Sequence, residues 1–104
     1  TGNEPVILSG DFNSTDTSKP YLVLTEKESI YSMTDAMFAS KSPHHGPLGS
    51  FSSSFTLPGV GAYRIDFIFI RNNITVLKHA ILSDSWDGRL PSDHLPVLAE
   101  VRID

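Results

Sequence analysis

The sequence predicts an α+β domain of mostly antiparallel strands with one or two short helices. Runs rich in aromatic and branched residues, typical of strands, fill residues 63–70, 74–82 and 95–103. Helix signals occur only before residue 40. No repeat with a period of about 20–50 residues is visible, which argues against a solenoid. The 104 residues suffice for one domain or part of one.

The elements before residue 40 are short. Residues 6–8 are an apolar run closed by Ser-Gly, which predicts a buried strand that ends in a turn. Ser, Thr and Asp, which cap helices, precede Pro20, and proline suits the first helical turn, so we predict a helix over residues 18–26. A second helical turn is predicted over residues 33–39.

A long loop and a predicted hairpin follow. Residues 40–61 are rich in Ser, Gly and Pro, which indicates a loop around one strand near residues 50–56. Between the next two strands, Asn72 and Asn73 can both take positive φ, so these strands are predicted to pair as a hairpin.

The strand at residues 63–70 is apolar on both faces, which predicts a central strand covered on both sides. One face is predicted to carry Tyr63, Ile65, Phe67 and Phe69, and the other Arg64, Asp66, Ile68 and Ile70. Asp66 therefore belongs to a buried element, where an ionised carboxylate is costly unless it is paired or hydrogen-bonded. The pattern predicts a partner for Asp66.

Composition excludes several classes of protein. Eight basic and twelve acidic residues give a net charge of −4, which argues against binding long nucleic acid by bulk charge. Cleavage of a phosphodiester stays open, because a metal ion can supply positive charge locally. The absence of cysteine excludes disulfides and thiolate metal sites and leaves the compartment undetermined. The apolar runs are too short to predict a transmembrane segment.

Three short polar segments lie at or just beyond predicted strands, at residues 10–13, 64–67 and 92–94. Together they offer three carboxylates, one amide and one imidazole, namely Asp11, Asp66, Asp93, Asn13 and His94. Such a set suits phosphoryl chemistry, because carboxylates hold a divalent cation, the amide donates to an oxyanion, and histidine handles a proton. Taken singly, the Asp11–Asn13 segment is more typical of an Asx-turn or helix cap, Ser-Asp-His is as typical of loop polarity, and Asp66 is as typical of a buried structural acid. Their joint occurrence favours a catalytic site.

With the motifs Gly-Asp-Phe-Asn, Arg-Ile-Asp-Phe and Ser-Asp-His in this order, the chain resembles the C-terminal part of the endonuclease/exonuclease/phosphatase superfamily, the DNase I-like metal-dependent phosphohydrolases. The resemblance implies that residues 1–104 form the C-terminal half of a four-layer αββα sandwich. It also implies that the N-terminal half, with the principal Mg²⁺ ligands, is absent. The beginning of the sequence is accordingly expected to be a cut inside a longer chain.

The resemblance also implies roles for the site residues. Asp11 and Asn13 are expected to orient the nucleophilic water and contact the scissile phosphate, with Asn13 also binding substrate. Asp66 is expected to support His94, the catalytic histidine, which acts either as a general base or as a cationic stabiliser of the transition state. Asp93 is expected to be a metal-site or orienting residue.

Other candidates carry less information. Arg89 precedes the Ser-Asp-His segment and is a candidate substrate-binding residue through phosphate. Trp86 is expected to anchor a loop, with stacking on substrate as the alternative. His44 and His45 are adjacent in a loop and cannot easily share one ion, and His79 is expected to be packing or surface.

The sequence therefore predicts a Mg²⁺-dependent phosphohydrolase, a phosphodiesterase or nuclease or else a phosphatase, with Mn²⁺ as a second fitting ion. Expected substrates are nucleic acid, a sugar phosphate or a phospholipid headgroup. The alternatives are a non-catalytic DNase I-like binding module or an inactive fragment of the enzyme. The 104 residues alone are expected to be inactive and to self-associate through an exposed apolar face, made of Ile7, Phe67, Phe69, Leu95, Val97, Ala99 and Val101.

Overall fold

A computed structural model describes residues 2–104, and Thr1 lies outside the described residues. Within this part of the chain, two short helices and two antiparallel sheets confirm the predicted α+β class. The elements in order are β1 (Val6–Asp11), α1 (Lys19–Thr25), β2 (Thr34–Asp35), α2 (Ala36–Ala39), β3 (Asp66–Arg71), β4 (Ile74–Ile81) and β5 (Val97–Ile103). Neither helix is long and apolar enough to cross a membrane.

The first sheet has the strand order β1-β3-β2, which confirms that β3 is central. The antiparallel pairing of β1 with β3 sets Asp11 directly opposite Asp66. The prediction that residues 6–8 form a buried strand is wrong in its burial, because β1 lies at the edge of its sheet with Ile7 50% exposed. The turn expected at Gly10 is also absent, since Gly10 continues β1 in extended conformation.

The second sheet consists of β4 and β5, so the predicted hairpin between β3 and β4 is wrong. Asn72 and Asn73 do have positive φ, at 62° and 56°. These two left-handed residues carry the chain from one sheet to the other instead of folding it back on itself. The two sheets then pack across a shared cluster, in which Ile70 of β3 contacts Val76 of β4 and Ala36 of α2.

The apolar face that was expected to be exposed is largely covered by the chain itself. Phe67 and Phe69 are 2% and 0% exposed, because α1 and the segment after β1 fold over them. The cluster against these two rings contains Met33, Phe12, Tyr21 and Leu24. Leu95 is buried in a second cluster with Ile81 and Leu90. Of the predicted face, Val97, Ala99 and Val101 are half-buried and only Ile7 is exposed.

The strand predicted over residues 63–70 begins only at Asp66, and this displaces Arg64. Arg64 was predicted to share a strand face with Asp66. Its guanidinium carbon lies instead 4.6 Å from the ring centroid of Phe67. The strand expected near residues 50–56 is reduced to isolated bridges at Phe51 and Thr56. In the same loop Phe55 is 57% exposed.

A buried ion pair joins the segment before β3 to the end of β2. The Nη2 atom of Arg64 donates to Oδ2 of Asp35 at 2.5 Å, and both side chains are nearly inaccessible. The Tyr21 hydroxyl also donates to Asp35, at 2.8 Å, and its burial raises the pKa of Tyr21 to about 12. The other carboxylate oxygen of Asp35 caps α2 by accepting from the Met37 amide. Three elements are thus fixed through one carboxylate.

The Asp35→Ala variant is expected to lose about 3–5 kcal/mol of unfolding free energy, because it leaves the Arg64 guanidinium buried without its closest anionic partner. Asp16→Ala is the matched control, since Asp16 lies 3.6 Å from the same guanidinium but is 43% exposed, and it should cost less than about 1 kcal/mol. Urea unfolding followed by circular dichroism measures both. Equal losses in the two variants would contradict the assigned role of Asp35.

Residues 41–45 run beside β4 and bring two imidazoles together. The Nδ1 atoms of His44 and His79 are 2.9 Å apart, while Nε2 of His44 lies 2.7 Å from the Pro47 carbonyl oxygen, to which it donates. His79 is buried, which agrees with packing, the first of the two settings expected for it, and not with a surface position. Burial, followed by the charge of His44 and Arg64, lowers the pKa of His79 from 6.5 to about 4, against a smaller opposing effect of Asp35.

This lowered pKa makes stability depend on pH. Between pH 6.5 and 4 the unfolded chain binds a proton at residue 79 that the folded chain excludes, so the contribution is complete above 6.5 and is lost as pH falls toward 4. Denaturant unfolding at pH 7.5 and 5 should therefore show a smaller acid loss in His79→Gln than in wild type. The exposed His45, replaced in His45→Gln, is the control. An acid loss undiminished in His79→Gln would refute this assignment.

Candidate active site

Two carboxylates meet where β1 ends and β3 begins. Asp11 and Asp66 are direct cross-strand partners, so their side chains project from the same face of the sheet. The pairing continues one residue further, because the Phe12 amide donates to the Ile65 carbonyl at 2.8 Å. Backbone hydrogen bonds on both sides of the Asp11–Asp66 pair therefore fix the separation of the two carboxylates.

His94 completes this group and is the partner that Asp66 required. Its Nδ1 atom lies 2.9 Å from Oδ2 of Asp66, and its Nε2 atom lies 3.9 Å from Oδ2 of Asp11. An ionised carboxylate only accepts hydrogen bonds, so Nδ1 carries a proton that it donates to Asp66, and Nε2 is directed toward Asp11. The His94 side chain is 34% exposed and therefore accessible to a substrate.

The surrounding carboxylates favour the cationic imidazole. The hydrogen bond to Asp66 is the main cause that raises the pKa of His94 above its ordinary value, and the charges of Asp66, Asp11 and Asp93 act in the same direction. Partial burial opposes them. The arrangement increases the share of protonated His94 near neutral pH, which is chemistry suited to contact with an anion.

Asn13 lies beside this group in an Asx-turn. Its amide donates to Oδ1 of Asp11 at 2.8 Å, and its φ of 51° turns the chain out of β1. The Asx-turn that was the structural alternative for this segment is therefore formed, but it uses only one carboxylate oxygen of Asp11. The other oxygen faces His94, and Asn13 itself is exposed near the two acids.

Asp93 and Arg89 are placed differently. The Asp93 carbonyl accepts from the Ser52 amide at 2.9 Å, and its carboxylate is near enough to influence His94. Arg89 is exposed, and its backbone pairs with that of Trp86. Within residues 2–104, no hydrogen bond or ion pair joins the Arg89 side chain to the Asp11, Asp66 and His94 group.

The structure also brings Ser50 and Phe51 to the site, which the sequence did not single out. The Ser50 hydroxyl accepts from the amides of Ile65 and Asp66, and the Phe51 ring lies 4.9 Å from the His94 ring, centroid to centroid. The sequence signal for these two residues was the strand predicted near residues 50–56 in a polar loop. A serine in such a pattern gives no sign of which distant backbone it binds.

The donor set fits a divalent cation. In the described part of the chain, one ligand atom each from Asp11, Asp66 and His94 lie within 4.8 Å of one another. Carboxylate oxygens suit Mg²⁺ and Mn²⁺, and Mg²⁺ is commonly held by one or two carboxylates together with water and substrate phosphate. Because Asp66 and His94 are bonded to each other, Asp11 is the acid of this group best placed to take an ion. An open cavity of about 280 Å³ adjoins Asp11 and Asp66.

Solved structures with the same fold include bacterial proteins of about 30% identity. A conserved protein of unknown function from Enterococcus faecalis V583 is 34% identical, with a TM-score of 0.79 over 96% of this chain. An endonuclease/exonuclease/phosphatase from Bacteroides vulgatus is 31% identical, with a TM-score of 0.84 over 99%. A mannosyl-6-phosphatase from Bacteroides thetaiotaomicron VPI-5482 is 29% identical, with a TM-score of 0.79 over 96%.

This chain corresponds to only a part of each of these structures. The chain spans 37% of the Enterococcus protein and 38% of each of the two Bacteroides proteins. A search of curated proteins gave no match. The sequence profile of the Endonuclease/Exonuclease/phosphatase family matches residues 1–94, which include all three segments that meet in the site. Because the profile, the fold and the convergence of those segments agree, the chain belongs to the endonuclease/exonuclease/phosphatase family.

Proposed function

We propose that the chain contributes the acid–histidine part of the active site of a metal-dependent phosphohydrolase. Family membership and a phosphatase among the similar structures support hydrolase chemistry in general. The observation that carries the specific proposal is the 2.9 Å contact between Nδ1 of His94 and Oδ2 of Asp66, with Asp11 facing Nε2. A partly buried acid, an accessible imidazole and a second acid are groups suited to water attack on phosphorus.

Each residue of the site has a different proposed role in hydrolysis. Asp66 holds the His94 ring in one tautomer and orientation, so that Nε2 meets the reacting group. His94 either takes the proton of the attacking water or, as a cation, stabilises charge on the phosphoryl oxygens. Asp11 orients the water, and the Asn13 amide donates to the phosphate.

Asp11 and Asp93 are the residues we propose to hold Mg²⁺, with Mn²⁺ as a substitute. The bound ion would neutralise phosphate charge and lower the pKa of water. Both carboxylates lie near enough to His94 to help raise its pKa, which supports a shared site. Their oxygen donors match the preference of a hard cation.

A phosphorylated sugar is the substrate class that we favour. With a net charge of −4, the chain lacks the excess of Lys and Arg that duplex DNA binding requires. The similar mannosyl-6-phosphatase acts on a sugar phosphate by its name, and it shares 29% of residues over 96% of this chain. Arg89 is proposed to bind the substrate from the rim, where its side chain is exposed.

We further propose that residues 1–104 are the C-terminal portion of a longer catalytic domain. Similar structures contain this unit as 37–38% of their length. Here β1 is an edge strand, with Val6 41%, Ile7 50% and Leu8 37% exposed. A long apolar edge of this kind pairs readily with another chain segment. The remainder of the domain would cover this edge and add metal ligands.

In the longer protein that this proposal requires, His94→Ala should lower kcat by about 10²–10⁴-fold, because a positioned proton-transfer group is lost. Asp66→Asn should lower it by about 10–100-fold, since it weakens the orientation of the imidazole without removing it. Hydrolysis of hexose 6-phosphates, measured as phosphate release with Mg²⁺ and with EDTA, tests both. His45→Ala and Asp84→Asn, both at exposed positions outside the Asp11, Asp66 and His94 group, are the controls.

Near-normal turnover in His94→Ala would refute the mechanism. Turnover of oligonucleotides but not hexose phosphates would keep the mechanism and overturn the substrate class. Failure of the wild-type protein to bind Mg²⁺ or Mn²⁺ in isothermal titration, together with no turnover, would favour the alternative of a non-catalytic binding module.

The 104-residue chain alone is expected to self-associate through β1 and to hydrolyse phosphoesters poorly. The exposed edge of β1 favours pairing between copies, and Asp11 and Asp93 alone leave Mg²⁺ short of protein ligands. Sedimentation velocity and a phosphate-release assay measure the two properties. Ile7→Lys, which places a charge on the exposed edge, should shift the chain toward monomer. A stable, active wild-type monomer would contradict the proposed missing half.

A further inference from the structure

We infer that Ser50 is a positioning residue that sets the geometry of the Asp66–His94 pair. Ser50 is fully buried, so its side chain is not accessible to a substrate. Its effect on turnover rests on the proposed function, whereas its effect on the geometry of the pair rests on contacts alone.

One side of Ser50 fixes the start of β3. The Ser50 hydroxyl oxygen accepts from the Ile65 amide at 3.1 Å and from the Asp66 amide at 3.0 Å. Asp66 is the first residue of β3, where regular pairing begins. Two partly buried backbone donors, one of them that of Asp66 itself, therefore share a single side-chain oxygen, and among the described residues no other acceptor for them is seen.

The other side of Ser50 fixes the segment that carries His94. The Ser50 carbonyl accepts from the Leu95 amide at 2.7 Å, and the Ser52 amide donates to the Asp93 carbonyl at 2.9 Å. Residues 50–52 thus run antiparallel to residues 93–95, with Phe51 bridged to His94. Ser50 thus hydrogen-bonds both to the backbone of Asp66 and to the backbone beside His94.

The segment around Ser50 has little room to shift. The amides of Ser50 and Phe51 both donate to the Tyr63 carbonyl, at 2.7 and 2.8 Å. At Gly49 an added Cβ would lie 2.1 Å from the Gly61 carbonyl oxygen, so the backbones there are in close contact. A residue held this firmly transmits its position to both partners, which makes it suited to fixing the 2.9 Å contact between Asp66 and His94.

Ser52 provides a matched control. It is also buried, and its hydroxyl accepts one backbone amide, that of Gly61, at 2.8 Å. Removing this hydroxyl releases loop backbone instead of the start of β3. A purely structural contribution of buried serines would therefore appear in both Ser50→Ala and Ser52→Ala, whereas a positioning role appears only at Ser50.

The test is the NMR signal of the His94 Nδ1 proton, recorded at one fixed pH on the 104-residue chain. A hydrogen bond to Asp66 places this resonance downfield and slows its exchange with water. In Ser50→Ala we expect it to move upfield and to broaden, and in Ser52→Ala to stay as in wild type. Ser50→Thr, which keeps the hydroxyl, should restore it. If Ser50→Ala does not fold, Ser50→Cys replaces it, because sulfur is a weak acceptor of similar placement.

An unchanged His94 signal in folded Ser50→Ala or Ser50→Cys overturns the inference, as does an equal change in Ser52→Ala. In the longer enzyme, the positioning role predicts a fall in kcat of about 10–100-fold with KM unchanged for Ser50→Ala. The two proposals fail separately. A wild-type protein without phosphohydrolase activity but with the expected NMR changes contradicts the proposed function and leaves the role of Ser50 intact.

Discussion

The antiparallel register between β1 and β3 is the constraint on which the site depends. It sets Asp11 opposite Asp66, and His94 then reaches both acids with one ring. Because side chains alternate across a strand, a slip by one residue would turn one of these acids to the opposite face. The apolar rings of Phe67 and Phe69, packed on one side of β3, hold the register, so that core packing and site geometry have the same origin.

The buried Asp35 and the partly buried Asp66 are neutralised in different ways, and the difference separates structure from chemistry. Asp35 is enclosed with Arg64, a partner that never releases its proton, and receives further donors from Tyr21 and Met37. Asp66 is paired instead with His94, which is positively charged only when it is protonated and whose side chain remains accessible. A carboxylate with a permanent, enclosed partner stabilises the fold. One that shares a proton with an accessible imidazole is able to take part in a reaction.

Local chemistry in the sequence predicted the central position of β3, the need of Asp66 for a partner and the positive φ of Asn72 and Asn73. It failed where the outcome depends on distant segments. The same two asparagines fit a hairpin or a change of sheet, and only the packing of β4 on α2 and β3 decides between them. The hydroxyl of Ser50 is equally undetermined, because its acceptor role appears only when residues 64–66 are brought against it.

The hydrogen bonds around Asp66 and His94 explain how the geometry of this pair can be fixed by the chain itself. The Asp66 amide and the backbone of the residues on either side of His94 are hydrogen-bonded to residues 50–52, which supports the contact between Asp66 and His94 from within the described residues. Asp11 differs, because it ends an edge strand whose outer side is exposed. The Asp66–His94 pair is therefore supported by contacts within the described residues, whereas Asp11, the residue proposed to hold a metal ion, lies on an exposed edge strand. If the proposed longer domain covers this edge, its assembly is expected to affect cation binding at Asp11 more than the orientation of His94.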